Sequence, residues 1–297
     1  MPLYLTNVAQ MHAIKNFSNI TSQLNTCYQR LSSGKRINSA KDDPAGLQIA
    51  DRLTSQINGY KQGNRNLNDG LALTQTMDGA LDETVNMLQR IRTLAVQAAS
   101  GTYSDNERMS INSEVQQLCQ EITRISKKTA FGGAPILGVA SGGFYVRGGI
   151  AIQCSGAAGD TITIPGFASG FSMSGLSSYT NCATSSSFIQ KDGDSVRFSL
   201  SSAQNAQSVL ANIDKYIGAV SSYQGTLGGL QNRFESAIRL NDTMATNLSD
   251  ARSRIQDTDY AEEAANLAKL SVQQQVATMM MQRIGQSKNI ILSLLQS

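Results

Sequence analysis

The sequence has no tryptophan, a single histidine, four prolines and four cysteines in 297 residues. Aromatic residues make up 6% of the chain, which is little for the core of a large globular protein. The lone histidine, His12, has no serine, cysteine or acidic residue at a spacing typical of a catalytic or metal site. No Cys-x-x-Cys motif is present. We therefore predict no enzyme activity, no metal site and no cofactor.

The chain also lacks a large excess of charge of one sign. The 25 basic and 22 acidic residues are mixed along the chain and give a formal net charge of +3, so no region creates a strong field for nucleic acid or an anionic membrane. No apolar run approaches the ~20 residues needed to span a bilayer. The first residues, MPLYLTNVAQMHAIKN, lack the features of a secretory signal peptide. We expect no nucleic-acid partner and no membrane insertion. If the protein is exported, we expect a secretion system that recognises another signal.

Two kinds of pattern divide the chain. At both ends apolar residues recur at alternating spacings of three and four, which is typical of one stripe of a helix. Thirteen of the 25 glycines lie between Gly132 and Gly193, where short segments such as DTITI and DSVRFSL are typical of strands. The predicted fold class is mainly α, with a long antiparallel helical bundle or coiled coil formed by both chain ends and a small β-rich central insert.

Glycine, proline and capping residues predict where these parts begin and end. Ser104, with Glu107 three residues later, predicts a capping box at the start of a helix. The predicted parts are terminal helices at 1–34 and 257–297, connectors at 35–46 and 249–256, a helical bundle with a β-hairpin at 47–150 and 195–248, and a small variable, surface-exposed β/loop insert at 151–194.

The outermost helices have apolar stripes that polar residues interrupt, so an isolated pair of them is marginal in water. They would gain most from packing against other copies, and we predict that the chain polymerises through them. The residues predicted to serve these polymerisation helices are Phe17, Ile20, Leu24 and Leu31 in the first helix and Leu267, Leu270, Met281, Ile284, Ile291 and Leu295 in the last.

Two cysteines, Cys154 and Cys182, fall in the insert. In an oxidising exterior a disulfide between them would close a loop of about 28 residues and stabilise it by ~3 kcal/mol. The alternative is that both thiols stay free. The run FASGFSMSGLSSYTNCATSSS in the same region is either an exposed loop or a site of O-glycosylation.

Motifs at both ends of the chain resemble one known family. The segment between residues 24 and 101, which contains SSGKRINSAKDDPAG and LQRIRTLAVQAASG, closely resembles the amino-terminal region of bacterial flagellins. The stretches LGGLQNRFESAI, NLSDARSRIQDTDYAEEAANLAK and ILSLLQS resemble the carboxy-terminal flagellin pattern. The resemblance covers roughly residues 1–140 and 200–297. It implies a secreted, extracellular structural subunit of the bacterial flagellar filament used for swimming motility, exported unfolded by the flagellar type III system.

The resemblance also implies partners. The chain would bind itself in a helical homopolymer or a mixed-flagellin filament, with the terminal helices forming an inner tube of coiled-coil character. Further implied partners are a flagellar export chaperone on the C-terminal helix, the filament cap and hook-junction proteins, and host Toll-like receptor 5. The receptor-recognition surface of flagellins corresponds here to Gln89, Arg90, Leu94, Gln97 and Glu114.

Three other functions compete with a filament subunit. A hook-filament junction protein shares the helical ends, and an intracellular coiled-coil scaffold would form a stable soluble oligomer instead of a filament. A flagellin-like chain with a central peptidase would need an HExxH motif, which the sequence lacks.

Overall fold

The computed structural model describes residues 8–138, 149–167, 169–182, 187–192 and 195–295. The helices are α1 Val8–Ser33, α2 Pro44–Ala99, α3 Asp105–Lys128, α4 Met173–Tyr179, α5 Ala203–Gln256 and α6 Tyr260–Leu295. The strands are β1 Ala130–Phe131, β2 Ala134–Pro135, β3 Ile150–Gln153, β4 Thr161–Ile164, β5 Ile189–Asp192 and β6 Ser195–Phe198. The predicted fold class, mainly α with a small β-rich middle, is confirmed.

The chain divides into two compact units. The terminal unit combines Met1–Ile57 with Thr246–Ser297, and the central unit is Asn58–Ala245. The division of each unit into terminal helices, connectors, bundle and insert, given in the sequence analysis, stays a prediction.

The strands of the central unit form three antiparallel pairs in the described part of the chain, β1 with β2, β3 with β4, and β5 with β6. In the second pair Ile150 lies opposite Ile164 and Gln153 lies opposite Thr161. The segments DTITI and DSVRFSL, predicted as strands, contain β4 and β6. Residues 139–148 of the predicted bundle, and residues 168, 183–186, 193 and 194, lie outside the described residues.

The central unit has one large apolar core, to which α2, α3, α5 and the insert contribute. Its largest fully buried side chains include Leu67, Met77, Leu88, Ile122, Phe198, Tyr216 and Phe234. The predicted capping box starts α3, since the Ser104 amide donates to Glu107 Oε2 at 2.7 Å and the Ser104 hydroxyl accepts from the Glu107 amide. The buried guanidinium of Arg108 donates to the carbonyls of Ala98 and Ser100, at 3.0 and 2.9 Å, and so fixes the turn between α2 and α3.

The terminal unit is built on α1 and α6, which pack against each other. Its buried apolar cluster is small and consists of Leu24, Cys27 and Leu270, with Leu31 and Leu267 packed against it. The segment after α1 bonds to the segment before α6: the Arg36 amide donates to the Gln256 carbonyl at 2.7 Å, and the Thr258 amide donates to the Gly34 carbonyl at 3.0 Å. These hydrogen bonds hold the segment after α1 next to the segment before α6 within the terminal unit.

Residues 249–256, predicted as a connector, are helical because α5 continues to Gln256. This stretch contains no glycine or proline, and the Asp250–Arg254 ion pair, at 2.9 Å, supports the helix at a spacing of four residues. The other predicted connector, 35–46, is shortened because α2 begins at Pro44, a residue that favours the first helical position.

Among the described residues, no helix is both long enough and apolar enough to cross a membrane.

Candidate assembly and recognition surfaces

The apolar residues predicted to serve polymerisation lie mainly along the seam between α1 and α6 of the same chain. Leu24 and Leu270 are buried. Half-buried members of the predicted set are Phe17, Ile20, Leu31, Leu267, Met281 and Ile284. Ile291 and Leu295 belong to α6, and their side chains lie outside the described part of the structure. The seam therefore accounts for the pairing of the two helices.

A second set of apolar side chains on the same helices remains exposed, and we call it the outer stripe. Its members are Val8, Met11 and Ile14 on α1 and Val272, Val276, Met279 and Met280 on α6. On α6, Val276, Met279 and Met280 lie four, seven and eight residues after Val272, which places the four on one helix face. Sequence reasoning passed over them because it followed a single stripe along each helix, although the offsets are visible in the sequence.

A groove of about 730 Å³ runs between α1 and α6 next to the outer stripe. Residues from both helices line it, including Ala13 and Ile20 from α1 and Val276, Met280 and Ile284 from α6. His12 also lines this groove and is exposed, without a neighbouring acid at hydrogen-bond distance among the contacts described. The surface is therefore mostly apolar with a polar edge.

The other end of the helix pair is polar. The Arg30 guanidinium lies 3.9 Å from the Glu263 carboxylate, whose side chain is only 9% exposed. The Cys27 thiol donates to the Glu263 backbone carbonyl at 3.3 Å. Burial and the neighbouring Glu263 raise the pKa of the Cys27 thiol. A cavity of about 500 Å³, with Gln23, Lys269 and Gln273 in its wall, opens beside this ion pair.

The predicted receptor-recognition residues lie on α2 and α3 in the central unit. Arg90 and Glu114 form an ion pair at 2.8 Å, and Gln97 donates to the Tyr103 hydroxyl at 3.0 Å. Gln89 is exposed.

Leu94 is a correction to this predicted surface. Its side chain is 3% exposed and belongs to the main core, because it lies on the face of α2 that also carries Ile91, Ala95 and Ala98. A side chain on that face cannot contact a receptor while the central unit is folded.

Of the two alternatives for Cys154 and Cys182, this fold has free thiols and not the possible disulfide. The Cys154 carbonyl accepts a hydrogen bond from Asn241 at 2.8 Å, whereas Cys182 lies beside Tyr216. Asn241 and Tyr216 are 25 residues apart on α5, which corresponds to about 37 Å along the helix axis. A disulfide needs Cα atoms within about 7 Å of each other.

No group of three or more histidine, cysteine or acidic side chains in the described parts of the chain is arranged to hold a metal ion. Four cysteines occur as separate thiols, and Cys119 is fully buried, where burial raises the pKa of its thiol to about 12. Such a thiol stays protonated and unreactive at neutral pH.

Comparison with known families settles which kind of protein has these two units. The family model for the bacterial flagellin N-terminal helical region matches residues 5–140, and the model for the C-terminal helical region matches residues 199–295. The chain belongs to the bacterial flagellins. The ends predicted from their motifs to be flagellin-like are those matched, and residues 141–198 lie outside both matches.

Named relatives agree with this family. Polar flagellin F of Vibrio parahaemolyticus is 34% identical to this flagellin, and the alignment covers 98% of each chain. Flagellin B of Vibrio anguillarum is 30% identical, again over 98% of each chain. A solved structure of a putative flagellar hook-associated protein from Vibrio parahaemolyticus superimposes with a TM-score of 0.56 at 13% identity, covering 73% of this chain and 100% of that one. That last similarity shows a shared fold alone.

This flagellin is therefore a structural subunit of the bacterial flagellar filament, the polymer that serves motility. The family prediction is confirmed, and a filament subunit is favoured over a hook-filament junction protein or an unrelated coiled-coil scaffold. Filaments formed by flagellins lie outside the cell.

Proposed function

We propose that α1 and α6 join the subunits of the filament, and that the outer stripe is the contact surface. The observation that carries this proposal is the exposure of seven large apolar side chains on one helix pair. Exposed apolar side chains that cluster in this way mark interaction surfaces in soluble proteins. Association with further copies would remove them from water.

The weakness of the isolated helix pair supports the same proposal. Only Leu24, Cys27 and Leu270 are buried in its apolar cluster, so pairing within one chain provides little hydrophobic stabilisation. The central unit, by contrast, buries a continuous core of its own. We infer that the terminal unit gains its stability in the polymer, while the central unit folds in the free subunit.

Deletion of residues 258–297 tests this division of roles. The truncated chain lacks α6, and α1 therefore loses its partner within the chain, while every residue of the central unit remains. We expect a soluble, folded monomer that forms no filaments after salting-out, as judged by electron microscopy and by circular dichroism. Filaments formed by the truncated chain would contradict the proposal.

A point substitution tests the outer stripe itself. The Met280 side chain is 60% exposed, and its full burial would stabilise the contact by about 1–2 kcal/mol after allowing for the part already covered. The substitution Met280→Ser should therefore raise the critical concentration for seeded filament growth by about 5- to 30-fold. Sedimentation of filaments at a series of subunit concentrations measures this value.

Met109→Ser is the matched control, since Met109 is 63% exposed but lies on α3 of the central unit. We expect its critical concentration to stay within about twofold of that of the unsubstituted chain. Equal effects of the two substitutions would show that exposure alone, and not the position on the outer stripe, determines filament growth.

We also propose that the subunit is secreted unfolded by the flagellar type III system and that an export chaperone covers α6 before export. The exposed side chains of Val272, Val276, Met279 and Met280 support this, because an uncovered apolar helix promotes aggregation. The filament cap and hook-junction proteins would contact the same unit at the ends of the polymer. Secretion assays in a strain without the export apparatus test the route: accumulation inside the cell is expected, and secretion at the normal level would refute it.

A recognition surface for host Toll-like receptor 5 is a second proposed role of the central unit. Gln89, Arg90, Gln97 and Glu114 support it, because their polar side chains lie on α2 and α3 outside the core. Arg90→Ala should lower receptor signalling by the free subunit, since an interfacial arginine often contributes strongly to binding. Arg124→Ala is the control, as Arg124 also forms an exposed ion pair on α3, with Glu121. An equal response to both variants would argue against this surface.

We infer that none of these roles requires catalysis. The flagellin relatives are structural proteins, and the described residues contain no cluster of metal-binding side chains.

A further inference from the structure

The apolar seam between α1 and α6 does not by itself define how far one helix is displaced along the other. Both helices carry more than one apolar face, and the buried cluster contains only Leu24, Cys27 and Leu270. A displacement of one heptad, about 10 Å, would keep similar side chains on the seam. The backbone bonds from Arg36 to Gln256 and from Thr258 to Gly34 join only the segments beyond the ends of the two helices. A contact within the helix pair must therefore add to them to select a single register.

We propose that the ion pair between Arg30 and Glu263 determines the register of α1 against α6. Glu263 is the more buried partner, with 9% of its side chain exposed, and Arg30 is partly buried. The separation of 3.9 Å is too long for a direct hydrogen bond, so the attraction is between the charges in a poorly solvated place. The Cys27 thiol fixes the same level of α6 by donating to the Glu263 carbonyl.

Displacement in either direction would leave a charge without its partner. If α6 moves so that Glu263 lies beside Gln23, Arg30 lies beyond the start of α6 at Tyr260. If it moves the other way, Glu263 passes the end of α1 at Ser33 and Arg30 lies beside Leu270. An unpaired buried charge is strongly destabilising, whereas a buried ion pair contributes little net stability over an apolar pair. The pair therefore acts on specificity more than on stability.

The register has a consequence for assembly, and this step rests on the proposed role of the outer stripe. In the observed register Ile20 of α1 and Val276, Met280 and Ile284 of α6 line the same groove. A displacement of one heptad would move the α6 part of the outer stripe by about 10 Å relative to the α1 part. A second copy that fits the composite surface would no longer match it.

Cross-linking between introduced cysteines measures the register directly. Asn19 and Gln273 are exposed and line the same groove, so the pair Asn19→Cys with Gln273→Cys reports the observed register. The pairs Asn19→Cys with Met280→Cys and Asn19→Cys with Asn266→Cys report displacement by one heptad in each direction. A short thiol-reactive cross-linker is applied to the full-length subunit before it polymerises. Products of monomer mass are then isolated, and their cross-linked peptides are identified by mass spectrometry.

With the native ion pair, the product of the observed register should exceed each displaced product by at least about tenfold, because each displaced register leaves a buried charge unpaired. In an apolar variant that combines Arg30→Met with Glu263→Leu, the three products should come within about threefold of one another. The charge-swapped variant, Arg30→Glu with Glu263→Arg, should restore the single register, which a merely structural role for either side chain would not do. An apolar variant that still gives only the observed register would overturn the proposal.

The control variant Arg254→Met with Asp250→Leu removes an exposed ion pair within α5, and the cross-links should not change. Failure of the proposed assembly role gives a different result: the native chain would keep one register in the monomer, yet substitutions on the outer stripe would leave filament growth unchanged. The two proposals can therefore fail separately.

Discussion

Two glycines of α2 provide a sharp test of how the hairpin of β3 and β4 packs on this helix. A methyl group at Gly63 would overlap the carbonyl oxygen of Cys154 and lie 2.6 Å from its carbonyl carbon. A methyl group at Gly79, on the same helix, would meet no atom within 4 Å. The substitutions Gly63→Ala and Gly79→Ala are therefore chemically identical but differ completely in the space available.

The expected changes in the free energy of unfolding have opposite signs. Replacing a helical glycine by alanine stabilises by about 0.5–1 kcal/mol, and this gain applies at both positions. At Gly63 the hairpin must move away, which costs about 1–3 kcal/mol for overpacking and weakens the bond from Asn241 to the Cys154 carbonyl, worth ~1 kcal/mol. We expect Gly63→Ala to destabilise by about 1–3 kcal/mol and Gly79→Ala to stabilise by about 0.5–1 kcal/mol.

Urea unfolding of the full-length subunit, followed by circular dichroism, measures both changes. The two variants should shift the midpoint in opposite directions with similar slopes. If Gly63→Ala is as stable as Gly79→Ala, the close packing between the hairpin and α2 described above does not occur in solution.

Three further predictions concern the thiols and a helix start. Mass spectrometry of the non-reduced subunit should find Cys154 and Cys182 both as free thiols, and a peptide linking them within one chain would contradict the fold. Because burial raises the pKa of the Cys119 thiol to about 12, the folded state holds this proton more tightly than the unfolded state. The urea midpoint should therefore fall as the pH rises from about 9 to 12, whereas ionisation of Cys119 should not change it near neutral pH. A fall of the midpoint over this pH range that is equally large in Cys119→Ala would argue against this cause. Ser104→Ala should destabilise the subunit by about 1 kcal/mol in the same urea assay, since it removes the α3 capping box, and no change would show that the cap is dispensable.

Local signals in the sequence were sufficient for much of the fold. The capping box at Ser104 needs only residues three apart, and the strands in DTITI and DSVRFSL follow from alternation over a few residues. The end of α5 was misplaced because residues 249–256 were predicted as a connector. Their own composition, without glycine or proline, favoured continued helix.

The candidate surfaces were harder to predict because they depend on which side of a helix the fold buries. Leu94 lies on a face of α2 that is buried in the core of the central unit. A motif shared with other flagellins does not indicate which of its residues are buried. The choice between a disulfide and two free thiols also depended on the fold. Both cysteines fall in the predicted insert, but the Cys154 carbonyl accepts a hydrogen bond from Asn241, whereas Cys182 lies beside Tyr216. The spacing of the apolar residues in the outer stripe can be seen in the sequence. Their exposure, however, follows only from the pairing of α1 with α6.

The pairing of α1 with α6 joins residues made at very different times during synthesis. Cys27 and Glu263 are 236 positions apart along the chain. A ribosome must therefore complete almost the whole polypeptide before α1 can find its partner, and a product that stops before Tyr260 has an unpaired first helix. If subunits join through this helix pair, incomplete chains are excluded from the growing polymer without any separate inspection step.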